Sequence, residues 1–297
     1  MDITLLDGSI GQELVKRSGA KPTPLWSTTA MYDHPSSLQE LHSEYFQVGA
    51  TVATTNTYPI LQDRLDANGC NLDIRMLWDT AITAAKAAAR QNGGGLIAGS
   101  VGPLIASYRP DIFPSPDQAQ KDYSDIVKHL ADKTDFLLLE TVSSLQHAEG
   151  LLRATDASEV PVWLCVSVDD FDGTKLRSGE AVKDLEAIVT EHRVDAVLVN
   201  CSRPEVVSDA LFQIKLFGVR FGAYANGFTE ISKAFLKSKP TVDALENRID
   251  LGPREYADIA MDWISCGASI VGGCCEIGPG HIRELAIRIR AAGHVIV

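Results

Sequence analysis

The sequence alternates eight times between a short apolar run and a longer stretch whose apolar residues recur at helical spacing. A wholly apolar run, such as residues 136–139, is typical of a strand that is covered on both faces. We predict strands at residues 3–6, 50–55, 96–98, 136–139, 160–168, 196–200, 220–224 and 269–271. Eight strand-then-helix units in 297 residues restrict the chain to an α/β fold with a parallel sheet.

Two α/β architectures accommodate such units, a closed (β/α)8 barrel and an open doubly wound sheet. No Gly-x-Gly-x-x-Gly fingerprint follows the first strand, which argues against the open sheet. We predict an α/β fold of the (β/α)8 TIM barrel type. No linker divides the chain, so residues 1–297 are predicted to form one domain. Residues 22–35 and 104–114 are predicted to be irregular, and the second segment is long enough to be a binding loop or lid.

The charge balance argues against nucleic-acid partners. Lys and Arg total 27 against 39 Asp and Glu, a net charge of −12, and we find no local basic patch. The start of the chain lacks the basic and apolar regions of a signal peptide, and no apolar run approaches about 18 residues. We predict a cytoplasmic protein without membrane contact, in which cysteines stay reduced.

Cys274 and Cys275 are adjacent where the eighth apolar run gives way to Gly272 and Gly273. Adjacent side chains on a strand face opposite ways, so both thiols reach one ion only where the strand has ended and the chain turns. A disulfide between neighbours is disfavoured, because their Cα atoms lie about 3.8 Å apart and disulfides usually span about 4.4–6.8 Å. The pair therefore indicates a site for a soft metal ion.

Cys201 is a third candidate ligand, because it follows the sixth strand as the pair follows the eighth. Three thiolates and one open position are the layout of a catalytic zinc site, whereas four protein ligands close a structural site. The alternative is that all these cysteines are small buried hydrophobic residues. Cys165 lies within a strand and Cys266 closes a helix, and these two and Cys70 are predicted to be structural.

Polar residues follow several other predicted strands. The carboxyl ends of the strands carry the chemistry of a (β/α)8 barrel, and the polar residues there include Asp7, Asn56, Thr57 and Glu140. Structural alternatives are open for each of them. Asp7 would then cap the first helix, Glu140 would pair with a basic residue, and the other two would simply end their strand.

Six motifs, taken in order, resemble those of the homocysteine S-methyltransferase family. They are Leu-Asp-Gly-Ser-Ile-Gly at residues 6–11, Thr-Thr-Asn-Thr-Tyr at 54–58, Gly-Ser-Val-Gly-Pro at 99–103, Glu-Thr-Val-Ser-Ser at 140–144, Val-Asn-Cys-Ser at 199–202 and Gly-Gly-Cys-Cys at 272–275. Each motif alone is weak. Their order, their spacing and the double cysteine after the eighth strand make the resemblance specific over nearly the whole chain.

The resemblance implies an enzyme whose Zn2+ is held by Cys201, Cys274 and Cys275 and binds the thiol of homocysteine. Coordination lowers the pKa of a thiol, so a thiolate is available at neutral pH. The implied reaction transfers a methyl group from an onium donor to this sulfur and gives methionine, with in-line attack and no catalytic acid or base. The implied partners are therefore small molecules, homocysteine and a methyl donor.

The same resemblance implies contacts with homocysteine. Asp7 and Glu140 would receive its ammonium group, and the backbone amides of the loop from Gly8 would receive its carboxylate. Two carboxylates at the ends of separate strands suit a cationic amine.

Four further residues are candidates for substrate contact. Trp26 and Ser27 match a tryptophan and a small hydroxyl residue that line the donor side in relatives, with an ordinary packed tryptophan as the alternative. Asn56 and Thr57 are candidates for hydrogen bonds to substrate.

One departure from the family pattern bears on the donor. Betaine-using relatives carry an extra aromatic residue after the second-strand motif, where this chain has Pro59 after Tyr58. This favours a sulfonium donor, S-methylmethionine or S-adenosylmethionine. A related thiol methyltransferase that uses betaine or a separate corrinoid protein is the alternative.

Two other protein classes are alternatives. A zinc hydrolase needs a general base beside the metal, and no histidine follows a predicted strand. A non-catalytic zinc-thiolate protein would have a fourth protein ligand. Formation of methionine from homocysteine and a donor distinguishes the transferase from both.

Overall fold

A computed structural model describes residues 1–19, 23, 25, 27–237 and 244–297. Nine strands occur in these ranges: β1 (Asp2–Leu5), β2 (Val52–Thr54), β3 (Leu96–Val101), β4 (Phe136–Val142), β5 (Val162–Val166), β6 (Ala196–Asn200), β7 (Arg220–Tyr224), β8 (Ile270–Val271) and β9 (Val295–Ile296). The first eight correspond to the eight predicted strands, with differences at their ends.

The strands form a ring of parallel pairs. Strands β2 to β8 lie side by side in chain order, and β1 pairs with β8 through Thr4 with Ile270 and Leu5 with Val271. Between β1 and β2, the backbone N–H of Thr51 donates to the carbonyl of Leu5 at 2.8 Å. The predicted (β/α)8 barrel is confirmed.

Strand β9 is an addition that no sequence pattern indicated. It pairs in parallel with β1, Asp2 with Val295 and Ile3 with Ile296. The hydroxyl of Thr51 donates to the carbonyl of Val297 at 2.7 Å, so the end of the chain lies against both β1 and the start of β2. A strand of two residues is too short to show alternation.

Eleven α-helices occur among the described residues: α1 (Gly11–Ser18), α2 (Ser27–Asp33), α3 (Pro35–Val48), α4 (Gln62–Ala67), α5 (Ile74–Gln91), α6 (Pro116–Ala131), α7 (Leu145–Thr155), α8 (Leu185–Glu191), α9 (Pro204–Ile214), α10 (Pro253–Ser265) and α11 (Pro279–Ala291). No helix in these ranges has the length and apolar composition needed to cross a membrane. Helix α2 corrects the prediction that residues 22–35 are irregular, because Ala30 and Met31 are buried in the core. Residues 104–114 are irregular except for a short 3-10 turn at Pro110–Ile112.

The alternation of side chains along β4 directs a carboxyl group into the barrel. Leu137 and Leu139 belong to the core between the sheet and the helices, whereas Phe136 and Leu138 belong to the core inside the barrel. Because strand side chains alternate with a period of two, the inward row continues to Glu140. Its carboxyl group therefore faces inward near the carboxyl end of the sheet.

Candidate active site at the carboxyl ends of the strands

A cavity of about 800 Å³, including the solvent at its mouth, opens at the carboxyl ends of the strands. Its walls come from segments at the ends of β1, β2, β3, β4, β6, β7 and β8. The predicted site residues that line it are Asp7, Gly8, Ser27, Asn56, Glu140, Cys201, Cys274 and Cys275. The structure thus brings most of the predicted residues to one place.

The sulfur atoms of Cys201, Cys274 and Cys275 meet on one wall, all within 4.8 Å of one another. The sulfur of Cys275 lies 3.9 Å from that of Cys201 and 4.0 Å from that of Cys274. Cys201 and Cys274 are joined as a disulfide, with their Cα atoms 5.7 Å apart. Two distant segments of the chain therefore deliver three sulfurs to one point.

This trio fits the donor set of a thiolate metal site. Zinc–sulfur bonds of about 2.3 Å in a tetrahedron place sulfurs about 3.8 Å apart, close to both spacings made by Cys275. Reduction of the bond between Cys201 and Cys274 supplies the other two thiolates. Among the residues that the structure describes, no fourth His, Cys, Asp or Glu joins the trio. The set therefore leaves a position open, which a structural site does not.

Asn226 contributes an unpaired polar atom near the cysteines. Its neighbour Gly227 donates from its N–H to the carbonyl of Cys275 at 2.8 Å, and Oδ1 of Asn226 accepts from the N–H of Phe228 at 3.2 Å. Its Nδ2 is buried without a hydrogen-bond partner in the described part of the chain. Buried donors are rarely left unpaired, so this atom fits a site that binds a further group.

Glycine is required where β8 leads into the cysteine pair. A Cβ on Gly273 would lie 2.3 Å from Cγ2 of Ile277. The N–H of Gly273 donates to the carbonyl of Asp7, and the N–H of Cys274 donates to the carbonyl of Ala225, both at 2.9 Å. These bonds tie the cysteine turn to the ends of β1 and β7, so the barrel itself holds the sulfurs in place.

Glu140 is 7 % exposed, and both of its carboxyl oxygens accept hydrogen bonds. Tyr224 donates to Oε1 at 3.0 Å, and Ser100 donates to Oε2. Burial raises the pKa of Glu140 from 4.5 to about 7, and the two hydrogen bonds oppose that rise. No Lys or Arg among the described residues contributes to this pKa. The alternative of a structural ion pair for Glu140 therefore does not hold.

Asp7 is anchored by one residue of β2. Its Oδ2 accepts from the backbone N–H of Thr54, and its Oδ1 accepts from the hydroxyl of Thr54, both at 2.7 Å. Burial raises the pKa of Asp7 from 3.8 to about 7, the Thr54 bonds lower it, and the nearby Glu140 raises it further. Asp7 does not cap α1, because the N-cap residue is Ile10, which makes no side-chain hydrogen bond.

His42 lies behind Asp7 and was not indicated by any motif. Its Nδ1 is 3.9 Å from Oδ2 of Asp7, which is too long for a hydrogen bond. Burial lowers the pKa of His42 to about 3, so the ring is neutral at neutral pH. Neither ring nitrogen has a partner among the described residues. Asp7 therefore faces the cavity, and no cationic side chain in the described ranges balances its charge.

The loop between β1 and α1 passes close to the backbone of Ile277 at Gly8. A Cβ there would lie 2.1 Å from the carbonyl oxygen of Ile277, which also accepts from the N–H of Ser9 at 2.9 Å. Residues 8–12 all line the cavity, and α1 begins without a side-chain cap. Uncapped N–H groups and the positive end of the helix dipole suit an anionic group at this wall.

The predicted donor side is described only in part, because Trp26 lies outside the described residues. Ser27 begins α2, and its hydroxyl donates to Oδ1 of Asn56 at 2.6 Å. Thr57 is fully buried, and its hydroxyl donates to the carbonyl of Ser100 at 2.6 Å. The structure brings Ser27 and Asn56 together at the cavity and places Thr57 behind its wall.

Tyr108 is a cavity residue that no motif indicated. It lies in the irregular segment 104–114 with a φ of 61° and packs in one cluster with Cys201, Phe228 and Phe235. The guanidinium of Arg177 lies 5.1 Å from the centre of its ring. The length of segment 104–114 was the only feature of the sequence that pointed to a role for this region, because a single aromatic residue in a loop shows no periodicity.

The chain is similar in sequence to known proteins over nearly its full length. The profile of a family described as homocysteine S-methyltransferase matches residues 4–289. The homocysteine S-methyltransferase of Escherichia coli (strain K12) is 27 % identical over 308 residues, which cover 97 % of this chain and 95 % of that protein. Betaine–homocysteine S-methyltransferase 1 of Bos taurus is 27 % identical over 311 residues, which cover 96 % of this chain and 72 % of that protein.

The fold is also similar to solved structures. The homocysteine methyltransferase MmuM of Escherichia coli in its metallated form has a TM-score of 0.80 at 27 % identity, over 97 % of this chain and 96 % of that one. Its oxidized form gives the same values. The similarity therefore includes nearly every element that builds the cavity.

Proposed function

The chain belongs to the homocysteine S-methyltransferase family, and we propose that it transfers a methyl group from a sulfonium donor to the thiol of homocysteine, giving methionine. The donor is S-methylmethionine or S-adenosylmethionine. One observation carries the proposal: three cysteine sulfurs and two buried carboxyl groups line a single cavity. A soft metal site beside paired carboxylates suits a substrate that carries both a thiol and an amine.

The metal of this proposal is zinc, held by the reduced side chains of Cys201, Cys274 and Cys275. When bound there, zinc would lower the pKa of the homocysteine thiol, so that its sulfur is a nucleophilic thiolate at neutral pH. The chain contributes three soft ligands on a rigid barrel edge and leaves a position open for the substrate sulfur. Methyl transfer needs no acid or base at the carbon, so no residue is assigned that role.

Asp7 and Glu140 are proposed to bind the ammonium group of homocysteine. Both carboxyl groups have a pKa raised to about 7 by burial, and no basic side chain in the described part of the chain offsets their charge. An ammonium group between them would favour their ionised forms. The bonds from Thr54 and Tyr224 hold the two carboxylates in fixed positions, so the amine also orients the substrate.

The apolar and aromatic part of the cavity wall is proposed to favour methyl transfer from a cationic donor. A sulfonium cation and a thiolate lose their charges as the methyl group moves, so a site that excludes water favours the transition state over the separated ions. Leu6, Ile10 and Pro59 give the cavity apolar surface. The ring of Tyr108 is proposed to face the sulfonium, since cations are attracted to aromatic faces.

A labelled-methyl assay tests this function. Reduced protein loaded with zinc is incubated with homocysteine and a sulfonium donor that carries deuterated methyl groups, and labelled methionine is measured by mass spectrometry. We expect product with a sulfonium and little with betaine. Cys275→Ser should abolish product, whereas Cys266→Ser, at the end of α10, should not. Absence of product with every donor, despite bound zinc, would contradict the proposal.

A further inference from the structure

A β-bulge interrupts β4 where the strand reaches the cavity. Three steps along β4, from Leu139 to Val142, match two along β5, so Glu140 and Thr141 together oppose a single residue. The extra residue changes the alternation, because Val142 packs in the core between the sheet and the helices, where an unbroken period of two would turn it into the barrel. Bulges beside active sites commonly orient a side chain, and this one includes the carboxyl group that is proposed to bind the ammonium group.

Thr141 takes an unusual backbone conformation in this bulge. Its φ is 59°, in the left-handed region, where a β-branched residue is a genuine outlier. The residue is also fully buried. Such a conformation is unfavourable and persists only where the surrounding structure imposes it. The contacts of Thr141 therefore show what holds the bulge in place.

The side-chain amide of Asn200 holds Thr141 at two atoms. Its Oδ1 accepts from the backbone N–H of Thr141 at 3.0 Å, and its Nδ2 donates to Oγ1 of Thr141 at 3.3 Å. A backbone N–H can only donate, so the amide cannot be flipped. Asn200 is fully buried at the end of β6. Because the extra residue of a bulge is left unpaired in the ladder, the Asn200 amide supplies the partner that this N–H would lack.

Both residues in this contact are chain neighbours of proposed site residues. Thr141 directly follows Glu140, and Asn200 directly precedes Cys201. Glu140 and Cys201 line the cavity, whereas Asn200 and Thr141 are fully buried behind its wall. One buried amide therefore connects the backbone of the proposed ammonium site to the backbone of the proposed thiol site.

The Asn200 amide fixes a spacing that the sheet alone fixes less directly. Strand β5 lies between β4 and β6, and the bulge disrupts the ladder between β4 and β5 at this level. The contact between Asn200 and Thr141 spans β5 and joins β4 to β6. Homocysteine carries its thiol and its ammonium group on one short chain, so it reaches both sites only when their spacing matches.

We propose that Asn200 is a positioning residue that sets the distance between the carboxylate of Glu140 and the sulfur of Cys201, so that one homocysteine molecule engages both sites. The inference rests on the proposed function. Tyr224 holds the carboxyl group of Glu140 itself, and Asn200 holds the backbone beside it. Cys201 keeps its own bond to β7, from its N–H to the carbonyl of Tyr224 at 3.3 Å, so loss of the Asn200 amide should weaken the ammonium contact and leave the metal ligands in place.

Two substitutions remove the contact from opposite sides. Asn200→Leu keeps a similar size and removes both hydrogen bonds. Thr141→Val keeps the shape and removes only the bond to Nδ2, at a residue that is not adjacent in sequence to a metal ligand. Where Asn200→Leu does not fold or loses zinc, Thr141→Val decides. Thr134→Val is the matched control, because Thr134 is a buried threonine just before β4 whose hydroxyl donates to the carbonyl of Leu130 at 2.8 Å.

The test is a double-mutant cycle between Asn200 and Glu140. The affinity of reduced, zinc-loaded protein for L-homocysteine is measured by calorimetry at pH 8.5, and zinc content is measured in every variant. We expect Asn200→Leu to weaken homocysteine binding about 10- to 100-fold in the wild type, the range for loss of a hydrogen bond to a charged group. Once Glu140→Gln has removed that charge, the same substitution should weaken binding by less than about 3-fold. Thr141→Val should show this pattern with a smaller effect, and Thr134→Val should change neither binding nor zinc content.

The outcomes separate this inference from the proposed function. Weakening by the same factor with and without Glu140→Gln means that Asn200 acts through general packing, and this overturns the inference. Unchanged homocysteine binding, or loss of zinc from both Asn200→Leu and Thr141→Val, overturns it as well. If Glu140→Gln alone leaves homocysteine binding unchanged, there is no ammonium contact to position, and the inference fails while the donor assay still decides methyl transfer. The expected coupling without methionine formation in that assay supports the positioning role and contradicts methyl transfer.

Discussion

The hydroxyl of Tyr224, the last residue of β7, donates a hydrogen bond of 3.0 Å to Oε1 of Glu140 across the barrel. Ser100 donates to the other oxygen, so the carboxyl group is fixed at both atoms while it still lines the cavity. A buried acid with fixed geometry and no basic partner is costly for folding. Such a group at a cavity wall is typical of a functional site.

Replacement of Glu140 with glutamine should weaken homocysteine binding. The variant keeps the shape and a hydrogen-bonding oxygen but removes the charge that faces the ammonium group. We expect KM for homocysteine to rise about 10- to 100-fold, the range for loss of a hydrogen bond to a charged group, with little change in KM for the donor. Steady-state kinetics on both substrates checks this. Glu149→Gln is the control, because Glu149 instead forms a salt bridge with Arg153 on α7. This variant should leave both KM values unchanged.

The same substitution should change how stability depends on pH. The pKa of Glu140 is raised from 4.5 to about 7 in the folded protein, so between these values the folded state holds a proton that the unfolded state has lost. The stabilising contribution of Glu140 to the free energy of unfolding of the wild type is therefore fully present below about pH 4.5 and is lost as the pH rises through about 7. Full loss corresponds to about 3 kcal/mol.

Urea unfolding of metal-free protein at pH 5 and pH 8 measures this effect. Glu140→Gln does not titrate, so its stability relative to the wild type should increase from pH 5 to pH 8. Taking the difference between the two proteins removes the contribution of His42, whose pKa is lowered by burial alone. The contribution of Asp7 does not cancel, because Glu140 raises the pKa of Asp7, and loss of this effect in the variant adds to the expected increase. A difference that is the same at the two pH values would show that burial does not shift this pKa.

Gly8→Ala should displace the loop between β1 and α1. The added Cβ would lie 2.1 Å from the carbonyl oxygen of Ile277, a backbone atom that cannot move away freely. We expect a loss of about 1–3 kcal/mol in the free energy of unfolding, as for other overpacked sites, and weaker homocysteine binding. Gly280→Ala in α11 is the matched control, because its nearest neighbour is 3.9 Å away. A Gly8→Ala variant that is as stable as the wild type would contradict the close approach of Gly8 to the carbonyl of Ile277.

Tyr108→Leu should weaken binding of the sulfonium donor and leave binding of homocysteine unchanged. Loss of the aromatic face removes a cation–π contact, for which we expect a rise of about 3- to 30-fold in donor KM. Tyr108→Phe keeps the ring and is the control. If both substitutions raise donor KM equally, the hydroxyl group and not the ring makes the contact. If Tyr108→Leu raises KM for homocysteine as much as KM for the donor, Tyr108 serves the packing of the cavity wall in general.

Residues that depend on local pattern were predictable, and residues that depend on distant contacts were not. Glu140 follows from the inward row of β4, and the cysteines follow from two strand ends that a closed barrel brings together. No local pattern connects Asn200 with Thr141, because that bond joins residues 59 positions apart.

Helix α2 was missed for a related reason. The prolines in residues 22–35 suggested irregular chain, but the segment is stabilised by burial of Ala30 and Met31 in the core. Tertiary packing of this kind overrides local propensity. The proposed role of Trp26 stays a prediction, because the residue lies outside the described ranges.

The proposed function requires that Cys201, Cys274 and Cys275 hold one zinc ion with a position open for the substrate sulfur. Zinc X-ray absorption of the reduced protein, recorded without and with homocysteine, tests it most directly. We expect one zinc per chain with three sulfur ligands, which become four when homocysteine is added, and loss of zinc in Cys201→Ser. Zinc with four protein ligands that homocysteine does not change, or zinc that Cys201→Ser retains in full, would contradict an open three-cysteine site.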